Sequence, residues 1–484
     1  MIEIYKKQII GGLMIYFIIR IFSYFFSPST PLYLANPVNW IISAGILAAA
    51  VYFLIKKDQN GWLIIAAELI LGGAGSFLEI YGIALRTVLL VFAMGIFFYH
   101  SVAEKKWGLF FENKPVFYIL SAIFVAVGIA TIQGFYLGNN PRLVIADAIP
   151  YLFLLYYFPL KQLLSSEGFR RVTFSMLLAS AIGSFIFTYF TLAGFSSHLF
   201  VLQDSYYHWF RDVASGKITD YHTGFFRILT NEQLLLIPLF LYLFAKQLAN
   251  KNIAHSRILQ IVSALLLAIL TINLTRIYFI GLAVGMLFLF SFKNWKRWLA
   301  HSAAALCIFL AIFILTHLAA TKGKSLGLEY LGLRLQSIAI PQSEDSSLSR
   351  LLLLPKILDK IKNKPVFGNG LGDTVDVYSP VFKESITTQH FDWGYLEIIA
   401  EMGVIGLIAW LSLIGYTIYH IRKYKNFFAP LIALLFINLT SPALFHVMGI
   451  IFIITFLANT KPAIETGTNN FPPLFSLNNR PRHW

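Results

Sequence analysis

Three arginines, Arg227, Arg276 and Arg350, stand beside long apolar runs. A guanidinium fork matches pairs of phosphate or carboxylate oxygens, and arginines at a membrane interface are costly to keep and often functional. Arg350 opens a helical pattern, where a cation opposes the helix dipole; a solvated surface role is its plain alternative. His390, Asp392 and Glu401 are the titratable groups of TTQHFDWGYLEIIAEMGVIG. Histidine titrates near neutral pH and is the commoner general base, although a lone histidine near an interface is more often structural. Two residues apart, His390 and Asp392 share a face on a strand and diverge by about 200° on a helix. Before them, VFGNGLGD sets Gly368, Gly370 and Gly372 where the backbone can turn tightly and approach a ligand, a pattern equally at home in a plain loop. No Asp-x-Asp pair or His/Cys cluster marks a metal site. Asp204, Asp212 and Asp220 recur at a spacing that fits no coordination geometry. The one cysteine, Cys307, excludes an intrachain disulfide.

The elements that must hold these residues are membrane helices. Of 484 residues, 57% are hydrophobic and 13% charged, against roughly 25% charged in soluble domains. A span needs about 20 apolar residues. Apolar runs between charged or Pro/Gly breaks fall at 8–26, 38–55, 62–80, 82–99, 115–133, 143–160, 172–193, 232–247, 257–275, 277–292, 299–320, 396–418, 428–441 and 443–459. Some are short enough to merge or re-enter, so about 12–14 transmembrane helices are expected. The net charge of +15 fits basic cytoplasmic loops better than nucleic acid, for which no basic-aromatic module exists. Lys6 and Lys7 precede the first run with no clear cleavage site after it, so that span is expected to stay.

Loop charge sets the topology. Lys56-Lys57, Lys105-Lys106, Lys161 with Arg170-Arg171, Lys251, Lys296-Arg297 and Lys423-Lys425 fall in alternate loops, which predicts cytoplasmic N- and C-termini. Two long outer-face loops remain, 194–231 and 321–395. The expected layout is N-terminal helices over 1–193, the first loop, central helices over 232–320, the second loop, C-terminal helices over 396–460 and a cytoplasmic, largely disordered tail over 461–484. Within the second loop, 344–365 carries Leu351, Leu354, Leu358 and Ile361 at helical spacing. That stripe suggests a helix lying on the membrane or on other spans, with Ser346 or Ser347 as cap and a kink or break near Pro355.

An arginine opening an amphipathic helix, then PVFGNGLGD, a histidine, and YLEIIAEMGVIG entering a span resemble the O-antigen ligase and polymerase superfamily. The likeness is tightest over 345–415 and extends to NLTRIYFIGLAVG around Arg276 and YHTGFFRILTNEQ around Arg227. The ligases usually keep a histidine about nine residues before the Glu of the E-x-G step. Here that slot holds Asp392, with His390 two residues earlier, which favours the more variable polymerases.

The resemblance implies an all-α, polytopic, GT-C-like enzyme of the bacterial inner membrane. It would transfer glycan from a polyprenyl-diphosphate-linked oligosaccharide to an acceptor glycan, without metal or other cofactor. It further implies that Arg227, Arg276 and Arg350 meet the charge of the diphosphate, and that His390, narrowly preferred, or Asp392 is the base. Membrane lipid and a chain-length regulator or flippase are the expected partners; nucleic acid is not. The alternatives are an O-antigen ligase acting on lipid A core, a flippase for lipid-linked glycans, which would want broken, charged helices near the midplane of both halves, and a non-catalytic scaffold, which leaves the arginines unexplained.

Overall fold

In a computed structural model, residues 2–27, 36–73, 75–249, 253–340, 345–379, 384–389 and 391–459 are described. His390 and the tail from 461 lie outside them, so the expectations for that histidine and for a disordered end are not addressed structurally.

The chain is a helical, multi-pass membrane protein. Its N-terminal part contains α1 (Ile2–Phe25), α2 (Asn36–Ile55), α3 (Gln59–Leu71), α4 (Leu85–Ala103), the single turn α5 (Gly108–Phe111) and α6 (Lys114–Tyr136). Next, α7 (Pro141–Leu152) passes through a 3₁₀ turn into α8 (Tyr157–Leu163), and α9 (Glu167–Ser196) follows. The bend comes just after Pro150, which removes a helical hydrogen bond. Polar side chains fix several starts: Asp58, Asn113, Asn140 and Ser166 each accept from a backbone N–H in the following turn.

The first long loop folds into α10 (Ser205–Asp212) and an antiparallel hairpin of β3 (Gly216–Asp220) and β4 (Phe226–Thr230), pairing Thr219 with Arg227. A smaller hairpin, β1 (Glu79–Ile80) with β2 (Ile83–Ala84), precedes α4. The apolar run at 62–80 is therefore not one span. Its helix stops at Leu71, where Gly72 and Gly73 end it, and the remainder turns back as that hairpin.

After the first loop come α11 (Leu236–Ala249), α12 (Ile253–Asn273), α13 (Arg276–Leu289) and α14 (Trp295–Ala320). The second loop holds α15 (Leu328–Ala339), α16 (Asp345–Asn363) and the hairpin β5 (Val375–Ser379) with β6 (Glu384–Thr388), before α17 (Gly394–Ile421), α18 (Lys425–Ile437) and α19 (Val447–Ala458). Among the described residues nine helical segments are long and apolar enough to cross a membrane, and five shorter apolar helices accompany them. Together they match the fourteen runs of the sequence. The segment Asn231–Ala249 is 89% buried along its apolar stretch, whereas Tyr5–Phe25 is 22% buried. The hydrophobic centre thus lies on α11, and α1 shows most of its surface to lipid.

Two sequence expectations for α16 need correction. The helix runs unbroken through Pro355, which sits on its exposed side. Its buried stripe is Leu353 and Ile357, packed with Val375, Phe391 and Ala400; of the expected residues Ile361 packs against this cluster, while Leu358 is 40% exposed. The inward face is therefore set by β5 and α17, one position away from the expected Leu354–Leu358 register.

Candidate functional site

The alternation of helices puts the two long loops at one end of the bundle and the short basic loops at the other. At the basic end Lys57 pairs with Glu104, Lys161 with Glu112, Arg297 donates to the Leu248 carbonyl and Lys425 to that of Phe290. The arginines singled out from the sequence are at the loop end.

Arg227 lies on β4. Its Nε donates to the Asn273 carbonyl at 2.6 Å and its Nη2 to Thr275 Oγ1 at 3.0 Å. Those acceptors are the two sides of the break between α12 and α13, where Leu274 turns the chain with φ 48°. Arg276 follows immediately as the first residue of α13, with Thr275 as its N-cap residue. One strand and one helix start are thus locked together, which puts the Arg227 guanidinium at the N-terminal end of α13, with Arg276 in the first turn of that helix. Such a terminus favours an anion, and an arginine in its first turn strengthens that preference.

The hairpin bearing Arg227 is clamped from outside. Tyr221 accepts from Arg334 of α15 at 3.1 Å (Nε), and its ring lies 4.7 Å from that of Tyr330. Phe225 stacks on the buried His317 of α14 at 3.9 Å. Arg334 is 7% exposed, and nothing in its local sequence distinguishes it from a solvated loop residue.

Arg350 belongs to a different group. Its Nε is 3.4 Å from Asp392 Oδ2, and the Trp393 indole donates to the Arg350 carbonyl at 3.2 Å. Asp392 has φ 56° and stands just before α17, so the start of α16 is fastened to the turn that follows residue 390. Phe391 N–H donates to Glu397 Oε2 at 3.2 Å, which fixes the other side of that turn. The structure brings Arg227 together with the start of Arg276's helix, and Arg350 together with Asp392.

The glycine loop packs against the bundle. Asn369 N–H donates to the Ala400 carbonyl at 2.7 Å, Gly370 N–H to Glu401 at 3.0 Å and Gly372 N–H to Asp147 Oδ2 at 3.0 Å; Val404 N–H donates to Pro365 at 2.9 Å. Gly368 donates to the Lys364 carbonyl at 3.0 Å. These bonds fill a break in α17 at Gly403, whose φ of 67° and ψ of −171° are not helical. A Cβ on Gly403 would come 2.1 Å from the Val366 carbonyl oxygen, and one on Gly370 would come 2.3 Å from the Gly134 nitrogen. The glycines therefore serve backbone packing, and the N–H groups that a phosphate cradle would need are already donated.

Sequence reading placed the polar groups in the two loops. The structure adds a buried ion pair inside the bundle and a partly buried polar cluster beside the glycine loop. Arg20 of α1 forms an ion pair with Glu232, and both side chains are at most 5% exposed. Arg20 Nη1 also donates to the Leu71 carbonyl at 2.9 Å, and Tyr16 donates to Glu232 at 2.7 Å. Glu232 stands two residues after β4. Its neighbour Gln233 accepts from Asn273 and donates to Thr188 at 3.2 Å, so polar contacts run from α1 to the break that Arg227 holds. In the polar cluster Glu401 faces Asp147, and Lys360 reaches Asp373 at 2.7 Å. Arg20, a charge inside the first apolar run, was the signal that could have pointed to the ion pair.

Residues 261–411 match a family model described as O-antigen ligase. That stretch, about a third of the chain, is similar to the O-antigen ligase family. The match covers most of α12 and runs into α17, so it includes Arg276, Arg350, the glycine loop and Asp392 but not Arg227. The match supports a glycosyl-transferring enzyme class in general. No curated protein matches the chain. Among the described residues no group of three or more His, Cys, Asp or Glu could hold a metal ion.

Proposed function

We propose that the protein polymerises surface-polysaccharide repeat units on the non-cytoplasmic face of a bacterial inner membrane, using a glycan carried on a polyprenyl diphosphate. The observation that carries this reading is Arg227 bound across the Asn273–Thr275 break directly before Arg276. In the reaction the bond from the sugar's anomeric carbon to the diphosphate oxygen breaks, and the electron pair leaves with the diphosphate. The acceptor hydroxyl oxygen bonds to that carbon and gives its proton to a base. Charge grows on the diphosphate as the bond lengthens. Fixed guanidinium groups and a helix N-terminus stabilise such charge without having to reorganise.

In this reading Arg350, held with its helix to Asp392 apart from the Arg227 group, meets the donor from the second loop. An aspartate facing a guanidinium at 3.4 Å is placed to orient that side chain. That favours His390 as the base. The loop end is taken as the outer face because the short loops at the opposite end are basic, and it is the short loops whose charge sets orientation.

The test is transfer by the purified chain in vesicles supplied with a defined polyprenyl-diphosphate oligosaccharide. A ladder of lengthening products with release of polyprenyl diphosphate is expected. Product only when lipid A core is added would make the protein a ligase, and glycolipid translocation without new glycosidic bonds would make it a flippase.

A further inference from the structure

A second site lies at the basic end of the bundle, away from the arginines. It has two adjoining compartments, and Trp62 and Leu163 line both where they meet. One is a polar vestibule of about 370 Å³ between the ends of α2, α4 and α8, lined by Lys57, Gln59, His100, Glu104, Lys106 and Gln162. The other is an apolar cavity of about 170 Å³ that runs into the bundle among α3, α9, α11 and α19, with Ala66, Leu69, Phe174, Leu239 and Phe452 on its walls. Dry apolar cavities of about 150 Å³ take up hydrocarbon rather than water.

We propose that this paired space binds an anionic phospholipid, with the headgroup in the vestibule and a short stretch of one acyl chain in the apolar cavity. Polarity changes along the site as it does along a lipid. The charge of the vestibule fixes the class: Lys57 and Lys106 line it against Glu104 alone. Glu104 is already engaged by Lys106 and Lys57, whose hydrogen bonds hold its carboxyl down to about 2. It therefore stays ionised at working pH, and the lysines retain a positive excess for a phosphate. A zwitterionic lipid would bring its own cation to the same lysines. The glycan-bearing donor is a poor occupant, because its polar part belongs at the other end of the bundle.

The test uses the full chain in phosphatidylcholine nanodiscs containing increasing small fractions of phosphatidylglycerol brominated on its acyl chains. The signal of Trp62 is obtained by difference from Trp62→Phe. Saturable quenching at low phosphatidylglycerol fraction is expected, with much weaker quenching from brominated phosphatidylcholine at the same fraction. Lys57→Gln and Lys106→Gln, both on exposed side chains, should each weaken the apparent affinity about fivefold, the factor for one basic residue at an anionic lipid. Ala66→Phe should fill the apolar cavity and abolish saturation while leaving the protein monodisperse. Quenching that follows bulk lipid fraction equally for both headgroups would mean ordinary surrounding lipid and would overturn the proposal. An affinity unchanged by both lysine substitutions would do the same, whether or not Ala66→Phe folds.

Discussion

Removing the carboxylate of Glu232 should be among the most damaging single changes in the bundle. Its partner Arg20 is 3% exposed and cannot reach water, and the guanidinium lies 3.3 Å over the Tyr16 ring. In Glu232→Ala the arginine keeps its bonds to the Tyr16 and Leu71 carbonyls but loses its counter-charge. Leaving one member of a buried ion pair uncompensated costs about 3–5 kcal/mol. Tyr16 also loses its acceptor at 2.7 Å, worth about 1 kcal/mol. Replacing both charges, as in Arg20→Met with Glu232→Ala, removes the stranded cation, so the double variant should recover at least half of the loss. Unfolding free energies from denaturant titration in mixed micelles measure all three proteins. A Glu232→Ala protein within about 1 kcal/mol of wild type, the ordinary range of single substitutions, would refute the reasoning. So would a double variant less stable than Glu232→Ala.

Gly370→Ala should destabilise by about 3 kcal/mol, since a left-handed alanine costs about 1–2 kcal/mol and the displaced loop strains its bonds to Ala130, Glu401 and Asn139; the same titration checks it, and Gly332→Ala, with open space around the Cβ position, is the neutral control. Asp392→Asn should weaken transfer less than Arg350→Ala at equal membrane abundance if Asp392 only orients the arginine, and equal loss of all activity would instead give Asp392 a direct role. Reporter fusions after Lys57, Lys106, Arg171 and Arg297 should report cytoplasm and those after Ser215 and Lys362 the outside; an outer report after Arg297 would break the topology.

Span positions were legible because hydrocarbon demands long apolar runs, and those runs are visible in one dimension. The break at 62–80 was hidden, since Gly72 and Gly73 interrupt a run whose hydropathy does not fall. Hairpins in the loops were hidden for a related reason: β3 and β4 are short, and Arg227 is placed by pairing with Thr219 and by bonds to a distant helix break. The glycine loop was read as able to approach a ligand, and its close approach is instead to Gly134 and Glu401. Spacing alone cannot say what a glycine approaches. The phase of α16 failed because Leu353 and Ile357 face α17 through tertiary packing, while Leu358 is as apolar and points outward. Arg20 and Glu232 are separated by 212 positions, so no local pattern could pair them.

The most direct test of the central claim is transfer activity of Arg276→Ala and Arg227→Ala, each beside its lysine counterpart, at matched membrane levels with a defined polyprenyl-diphosphate oligosaccharide. If the two guanidinium groups meet the charge of the leaving diphosphate, each alanine protein should lose about a hundredfold or more in kcat, the scale for removing one donor at a developing anion. Each lysine protein should recover only part of this, because a point charge cannot reproduce the paired fork. Near-normal polymer from both alanine proteins would contradict a diphosphate site at the α12–α13 break.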